Sequence, residues 1–305
     1  MEKENKMINI LLIVIMILVV VGCVVAYLYF THTWEKKDKN QEPIFTMENY
    51  PKIDGSTATL PLAQAYKSAF TGTDIEKVDV THSKTHNAYI NLINKKSDLI
   101  LVTYPSEDEQ KLAKDAGVEL EIVPVVKEAF VFFVNKENSI DNLTLNQIQD
   151  IYSGKITNWK EVGGADAQIL AYQRPQNSGS QSGMLSLVMQ GIKMKEPEKE
   201  TIAQSMVDIV DVVSDYQNKE NAIGYSYYYY ITTMYSKDKI KLLSVNGIEP
   251  TYDNIKTGLY NIQTAYYAVI RKDEPENSDA RKLLNAMIST YGQKVAKEAG
   301  YVQNY

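Results

Sequence analysis

Residues 143–159 read LTLNQIQDIYSGKITNW, and this stretch carries the most specific local signals in the chain. Thr144 and Gln147 have the spacing of a capping box, in which a Ser or Thr pairs with a Glu or Gln three residues later at a helix start. Gly154 predicts the end of this helix, because glycine readily adopts the left-handed conformation that ends many helices. The segment between them has an apolar face at helical spacing, formed by Leu145, Ile148, Ile151 and Tyr152.

Outward from this helix, the chain alternates predicted helices and strands. Apolar residues at helical spacing predict three further helices, at residues 62–70, 89–93 and 184–192. Pro61 fits the first turn of the first of these, where its missing N–H is not needed. Short apolar runs predict three strands, at residues 99–102, 119–126 and 129–134. Such alternation predicts an α/β fold with mostly parallel sheets.

The N-terminal segment is hydrophobic and uncharged. Residues 10–30 carry no charged side chain, and about 20 apolar residues suffice to span a bilayer. Residues 20–23, VVGC, also resemble a bacterial lipobox, in which Cys23 is lipidated after cleavage. The sequence therefore predicts that residues 1–30 are either a membrane anchor or a lipoprotein signal, and that the polar residues 31–43 are a spacer.

The composition argues against several functional classes. A net charge of −6 and a pI of about 5.3 argue against a nucleic-acid partner, because binding to a phosphate backbone needs a basic face. The single cysteine, Cys23, allows no intrachain disulfide. His32, His82 and His86 are scattered, and no cluster of ligands has the spacing of a metal site or a metal-dependent enzyme. We therefore expect no metal, no cofactor and no catalysis.

Three polar turns each precede a predicted helix. They lie at residues 54–59, 82–85 and 176–182, and are rich in Ser, Thr and Gly. A helix start presents unpaired N–H groups and a partial positive charge, which together attract an anion. Any one of these turns alone says little, because Ser and Thr are also ordinary helix caps. Three of them, with Arg174 just before the last, predict an oxyanion site, since the Arg fork suits a tetrahedral anion.

From about residue 50 to residue 305, the sequence resembles the phosphate-binding receptors of bacterial phosphate ABC importers, in the type II periplasmic-binding-protein superfamily. The resemblance rests chiefly on residues 143–159, with support from Arg174 and from residues 54–57, 61–63, 178–180, 223–225, 292–293 and 300–302. It implies a two-lobed α/β fold behind an N-terminal anchor or signal helix. Lobe I would be residues 44–127 with 262–305, and lobe II residues 128–261.

The resemblance also implies where the anion binds. Carried over by position, the ligand contacts are Thr57, Ala58, Thr59, Leu60, Thr85, Thr103, Arg174, Ser178, Gly179 and Ser180. Thr103 departs from the family pattern, in which a carboxylate near this position accepts the proton of hydrogen phosphate and excludes sulfate. Selectivity for phosphate over sulfate, tungstate or another oxyanion therefore stays open.

The resemblance implies a monomeric, extracytoplasmic protein held at the membrane by its N-terminal segment. It would bind inorganic phosphate between its lobes and deliver it to the subunits of an ABC permease. The alternative is a membrane-tethered oxyanion sensor of the same fold, which a spanning anchor and the missing carboxylate would suit.

Overall fold

The computed structural model describes residues 42–215, 220–235 and 238–305 of the chain. The predicted anchor or signal at residues 1–30, with Cys23, and most of the predicted spacer lie outside the described residues. Within the described part, no helix combines the length and the apolar character needed to cross a membrane. Phe45–Tyr305 forms one compact unit, and the site discussed below belongs to it.

The structure describes ten strands, of which the third and the ninth along the chain are longer than the others. They are β1 (Ile53–Gly55), β2 (Leu99–Val102), β3 (Leu120–Asn135), β4 (Asn142–Leu143), β5 (Leu170–Ala171), β6 (Ala222–Tyr227), β7 (Ile240–Leu242), β8 (Ser244–Val245), β9 (Gln263–Arg271) and β10 (Val302–Gln303). The main sheet has the order β1–β2–β9–β3–β6–β5, with β7 and β10 also paired to β3. β4 and β8 form a separate small sheet.

The main sheet is mixed, so the prediction of mostly parallel sheets was wrong. β1 runs parallel to β2, and β5 to β6. β3, however, is antiparallel to each of its partners β6, β7, β9 and β10. β9 comes from the C-terminal part of the chain and lies antiparallel between β2 and β3. Hydrophobic periodicity identifies a strand but does not specify its direction, and mixed sheets are common.

β3 is one long strand where the sequence predicted two. It continues through Lys127 and Glu128, the polar pair that separated the two predicted strands. Glu128 is buried despite its charge, and its Oε1 accepts a hydrogen bond from the N–H of Ala129 at 2.8 Å. The register with β9 shifts between Pro124 and Val126, where proline has no N–H for the ladder.

The partners of β3 change along its length. Residues 120–129 pair with β9, whereas residues 130–135 pair with β6 and β7. At the change, the N–H of Phe130 donates to the carbonyl of Ile262 at 2.9 Å, directly before β9 begins. The predicted lobe boundaries, after residues 127 and 261, lie close to these two points. The division into two lobes stays a prediction.

The helices alternate with the strands along the chain. The α-helices are α1 (Leu60–Thr71), α2 (Thr85–Ile93), α3 (Glu107–Asp115), α4 (Leu145–Ser153), α5 (Gly179–Gly183), α6 (Met206–Ser214), α7 (Tyr252–Thr257), α8 (Asp279–Ile288) and α9 (Thr290–Glu298). The 3₁₀ turns are Thr57–Thr59, Ile75–Lys77, Trp159–Val162 and Lys199–Thr201, and π-helical turns cover Met184–Met189 and Tyr230–Met234.

Local signals in the sequence predicted several of these elements. Pro61 lies in the first turn of α1, as predicted. The capping box of Thr144 and Gln147 is present at the start of α4, with both reciprocal hydrogen bonds formed. Gly154 follows α4 in the left-handed conformation, with φ of 84°.

The helix predicted at residues 184–192 was misplaced. It begins earlier, at Gly179, and continues as a π-helical turn to Met189. Gln190 then adopts the left-handed conformation, with φ of 47°, and ends the helix before Ile192. Leu185 and Ile192, which the prediction placed on the buried face, are 44% and 38% exposed. The wider π-helical turn changes which side chains face the core.

A fully buried cluster fixes the end of β2 against α2. It consists of Ala88, Tyr89, Leu92, Ile100, Val102 and Val269. Burying a large apolar side chain stabilises a protein by about 1.5–3 kcal/mol. The hydroxyl of Tyr89 donates to the carbonyl of Thr103 at 2.8 Å, so this cluster also positions the residue that follows β2.

Candidate functional site

A cavity of about 480 Å³ lies where several helices begin. Its wall includes the start of the 3₁₀ turn that leads into α1, the first turns of α2, α5 and α6, and single residues from strands. The lining residues are Ser56, Thr57, Ala58, Lys84, Thr85, His86, Asn87, Thr103, residues 174–180 and 204–207, Tyr227, Tyr230 and Tyr266. N–H groups in the first turn of a helix have no partner within the helix, so they can bind a ligand here.

The second and third predicted turns meet at Gly179. A Cβ atom on this residue would lie 2.7 Å from Oγ1 of Thr85 and 3.1 Å from Oγ1 of Thr103. The backbone of the third turn therefore packs directly against hydroxyls from the second turn and from the end of β2. The absence of a side chain at Gly179 permits this close approach.

Asp54 holds the second turn against the first. Its Oδ1 accepts from the N–H of Ser83 at 2.7 Å, and its Oδ2 accepts from the Ser83 hydroxyl at 2.6 Å. Lys84 follows in the left-handed region with φ of 75°, and Thr85 then begins α2. This chain of contacts turns the start of α2 towards the cavity.

Arg174 is a buried cation with few partners. It is 9% exposed, and its backbone N–H donates to the Tyr225 hydroxyl at 3.0 Å. From the guanidinium, Nη2 donates to the carbonyl of Gln204 at 3.4 Å, while Nε and Nη1 are buried without a partner in the described structure. Burial lowers the pKa of the Arg174 guanidinium below its ordinary value. A buried guanidinium with two N–H groups left without partners is incompletely compensated, although Asp208 attracts it, and it can bind an anion.

Two hydroxyls on the same wall are also without partners among the described residues. Oγ1 of Thr103 and Oγ of Ser180 are both buried and unpaired. A buried donor left unpaired costs about 1–3 kcal/mol. With Nε and Nη1 of Arg174 and the hydroxyl of Tyr266, five buried polar atoms of the lining residues lack hydrogen-bond partners in the described structure.

Ser178 and Tyr227 shape the third turn. The Ser178 hydroxyl accepts from the N–H of Gln181 at 3.2 Å and so caps α5. The Tyr227 hydroxyl donates to the carbonyl of Gly179 at 2.8 Å. Both contacts fix the backbone that carries Gly179 and Ser180.

Two of the predicted contacts, Thr59 and Leu60, do not line the cavity. The Thr59 hydroxyl lies 2.7 Å from the Leu101 carbonyl and 2.9 Å from that of Ser56, so it serves to hold the first turn on β2. The N–H of Leu60 donates to the carbonyl of Thr57 within the 3₁₀ turn. The other eight predicted residues line the cavity: Thr57, Ala58, Thr85, Thr103, Arg174, Ser178, Gly179 and Ser180.

The start of α6 and the tyrosines were not predicted as site residues. Residues 204–207 form part of the wall, and Ser205 caps α6 by accepting from the N–H of Asp208 at 3.0 Å. The pair Ser205 and Asp208 was a visible helix-start signal, but it lacks the Ser/Thr/Gly cluster of the other turns. Tyr227 and Tyr230 belong to a tyrosine-rich stretch that could equally have been core.

The electrostatics of the wall favour a negative ligand. Among the described residues, no Asp or Glu lines the cavity, whereas Lys84, His86 and Arg174 do. Nδ1 of His86 lies 2.7 Å from Oε1 of Glu109, which is itself buried and on α3. Within the described ranges, no group of three or more His, Cys, Asp or Glu side chains could hold a metal ion.

A family model described as a PBP superfamily domain matches residues 47–292. The match covers more than half of the chain and includes every segment of the cavity wall. The chain belongs to the PBP superfamily.

Individual relatives of this PBP superfamily chain are phosphate-binding proteins by name. The phosphate-binding protein PstS of Bacillus subtilis (strain 168) is 28% identical over 198 residues, which is 65% of this chain. That match spans 61% of the B. subtilis protein, less than two thirds of its length. PstS of Staphylococcus saprophyticus is 27% identical over 267 residues, covering 84% of this chain and 80% of the relative.

A solved structure supports the same assignment of fold. It is a crystal structure from Clostridium perfringens, described as a phosphate ABC transporter substrate-binding protein with bound phosphate. The TM-score is 0.65 at 27% sequence identity, and the alignment covers 83% of this chain and 98% of that one.

Proposed function

We propose that this chain binds inorganic phosphate in the cavity and serves as the substrate-binding component of an ABC importer. The observation that carries the proposal is a set of unpaired polar atoms on residues that line one cavity: Nε and Nη1 of Arg174, Oγ1 of Thr103 and Oγ of Ser180. All four can donate hydrogen bonds, and no described Asp or Glu lines the cavity beside them. A compact oxyanion would satisfy them together.

The hydrogen-bond energies expected from these groups can account for micromolar affinity for phosphate. A hydrogen bond to a charged group contributes about 1.5–3 kcal/mol, so four of them contribute about 6–12 kcal/mol. Association costs at least about 4 kcal/mol, and micromolar affinity corresponds to about 8 kcal/mol. Backbone N–H groups at the starts of α2, α5 and α6 would make up the difference.

The relatives support a role in transport rather than catalysis. The proteins compared above are named as binding proteins or as a transporter component, and none is named as an enzyme. The proposed partner is therefore an ABC permease, with the chain monomeric and on the extracytoplasmic face of the membrane, tethered by its N-terminal segment.

Titration calorimetry of the full chain tests the binding proposal. We expect phosphate to bind with micromolar or tighter affinity. Because Thr103 stands where family members place a carboxylate, sulfate should compete measurably. Absence of heat with phosphate, sulfate, tungstate and molybdate would contradict an oxyanion site.

Uptake measurements test the transport role separately. Expression of the chain in a strain lacking its own phosphate receptor, but retaining a matching permease, should restore phosphate uptake. A protein that binds phosphate in vitro but does not restore uptake would instead be the tethered sensor.

A further inference from the structure

The cavity is much larger than inorganic phosphate requires. A tetrahedral ion of five heavy atoms occupies roughly two to three times the 30 Å³ share of a water molecule. The cavity measures about 480 Å³, which lies in the range of pockets for small organic ligands.

The extra volume does not arise from a site whose walls have yet to meet. At Gly179 the third turn already packs against Thr85 and Thr103, with no room for a side chain between them. The unpaired atoms of Arg174, Thr103 and Ser180 are already buried. The remaining space lies along other parts of the wall.

Part of that remaining wall presents carbon to the cavity. Met206 and Val207 of α6, Pro175 and the ring of Tyr230 all line it. Arg174 borders this region, because its Nη2 donates to the carbonyl of Gln204, two residues before α6 begins. A group attached to a bound phosphoryl head could therefore extend from Arg174 along the start of α6.

The protonation state of the ligand also favours a phosphate monoester. The second pKa of a phosphate monoester is about 6, so near pH 7 the monoester is mainly a dianion with no proton to donate. Hydrogen phosphate, in contrast, carries a proton that is best matched by a strong acceptor. Among the described lining residues there is no carboxylate to accept it, while donors are plentiful. A described wall with many hydrogen-bond donors and no carboxylate therefore matches a monoester dianion better than it matches hydrogen phosphate.

We infer that the cavity also accepts small phosphate monoesters, with the phosphoryl group on Arg174, Thr103 and Ser180 and the organic group against Met206, Val207 and Tyr230. This rests on the proposed binding of phosphate, and it extends the ligand class of that site.

Calorimetry with matched ligands tests the inference. The full chain is titrated with orthophosphate, glycerol 3-phosphate and phenyl phosphate, and each ester stock is assayed for free phosphate beforehand. We expect at least one ester to bind as tightly as orthophosphate or up to tenfold more tightly. If orthophosphate binds and both esters bind 100-fold more weakly, this inference fails and the proposed function stands. If neither kind of ligand binds, the proposed function fails as well.

A substitution on the carbon-rich wall locates the organic group. Met206→Trp should lower the ratio of ester affinity to orthophosphate affinity at least tenfold, because the larger ring fills the space. Met206→Leu, which nearly conserves volume, should leave this ratio within twofold. An unchanged ratio in Met206→Trp would overturn the placement of the organic group along α6, and Val207→Trp provides an independent check if the first variant does not fold.

Discussion

Replacing Arg174 by methionine should affect binding and stability in opposite directions. Methionine keeps much of the length of the side chain but removes the charge and all the donors. The wild-type guanidinium is buried, its Nε and Nη1 have no partner among the described residues, and its remaining hydrogen bond, to Gln204, is long at 3.4 Å. The side chain is therefore poorly compensated until an anion arrives.

The expected loss of affinity follows from the two free N–H groups. At about 1.5–3 kcal/mol for each charge-assisted hydrogen bond, Arg174→Met should weaken phosphate binding by about 3–6 kcal/mol. This corresponds to at least about a 100-fold higher Kd, since each 1.4 kcal/mol is a factor of ten. The ligand-free variant should in contrast be more stable than wild type, by roughly 1 kcal/mol or more, because an uncompensated buried charge is removed.

Arg271 provides a matched control. It is equally buried, at 5% exposed, but it is fully engaged: Nη1 donates to the carbonyls of Leu92 at 3.0 Å and Ser97 at 2.8 Å, and Nη2 pairs with Glu274. Arg271→Met should cost about 3 kcal/mol of unfolding free energy and leave phosphate affinity unchanged.

Two measurements on wild type, Arg174→Met and Arg271→Met test these expectations. Calorimetry gives the phosphate affinity, and urea unfolding without ligand gives the stability. The reasoning is refuted if Arg174→Met binds phosphate as wild type does, or if both variants lose stability to the same extent.

Three further predictions can be tested by the same two methods. Thr103→Asp should raise the preference for phosphate over sulfate at least tenfold in competition calorimetry, because the new carboxylate accepts the proton of hydrogen phosphate and repels sulfate. Gly179→Ala should weaken phosphate binding about tenfold by the same assay, since its Cβ would lie 2.7 Å from Oγ1 of Thr85; unchanged affinity would contradict the close approach. Burial raises the pKa of the Glu128 carboxyl group from 4.5 to about 7, because the buried site favours the protonated form. The folded protein is therefore most stable below pH 4.5, where Glu128 is protonated in both states, and it loses this stability as the pH rises through 7. Urea unfolding should therefore show wild-type stability falling between pH 5 and 8 by up to about 3 kcal/mol, and falling less in Glu128→Gln; parallel pH profiles would contradict this.

Short-range signals allowed the helices to be predicted, while long-range pairing limited the prediction of the sheet. The capping box at Thr144 works through hydrogen bonds within four residues, so sequence alone identifies it. The antiparallel position of β9 between β2 and β3 depends on contacts between residues more than 130 positions apart, such as Ile122 with Val269. The sequence placed Glu128 between two strands for a related reason. Its burial inside β3 is set by the strands around it and not by the polarity of its own side chain.

The site was predictable where it depends on helix starts and less so elsewhere. Eight predicted residues lie around one cavity, but their role as ligand contacts stays a prediction. Thr59 looked equivalent to its neighbours in sequence, yet the 3₁₀ turn directs its hydroxyl to the carbonyl of Leu101. The start of α6, with Ser205, reaches the wall only through the tertiary fold. Nothing in its local sequence indicated a ligand.

The proposed binding of an anion by a chain of net charge −6 has a local explanation. In physiological salt, exposed charges are screened over about 8 Å, so acidic residues elsewhere on the surface contribute little inside the cavity. Ligand affinity there is set by groups that are already oriented and already desolvated, such as Arg174 and the Thr103 hydroxyl. Their unfavourable burial lowers the stability of the ligand-free protein, and an anion that pairs with them removes this penalty. If the proposed site is correct, selection for affinity there acts against the stability of the empty protein, and the unpaired buried atoms of Arg174, Thr103 and Ser180 are what such selection would leave.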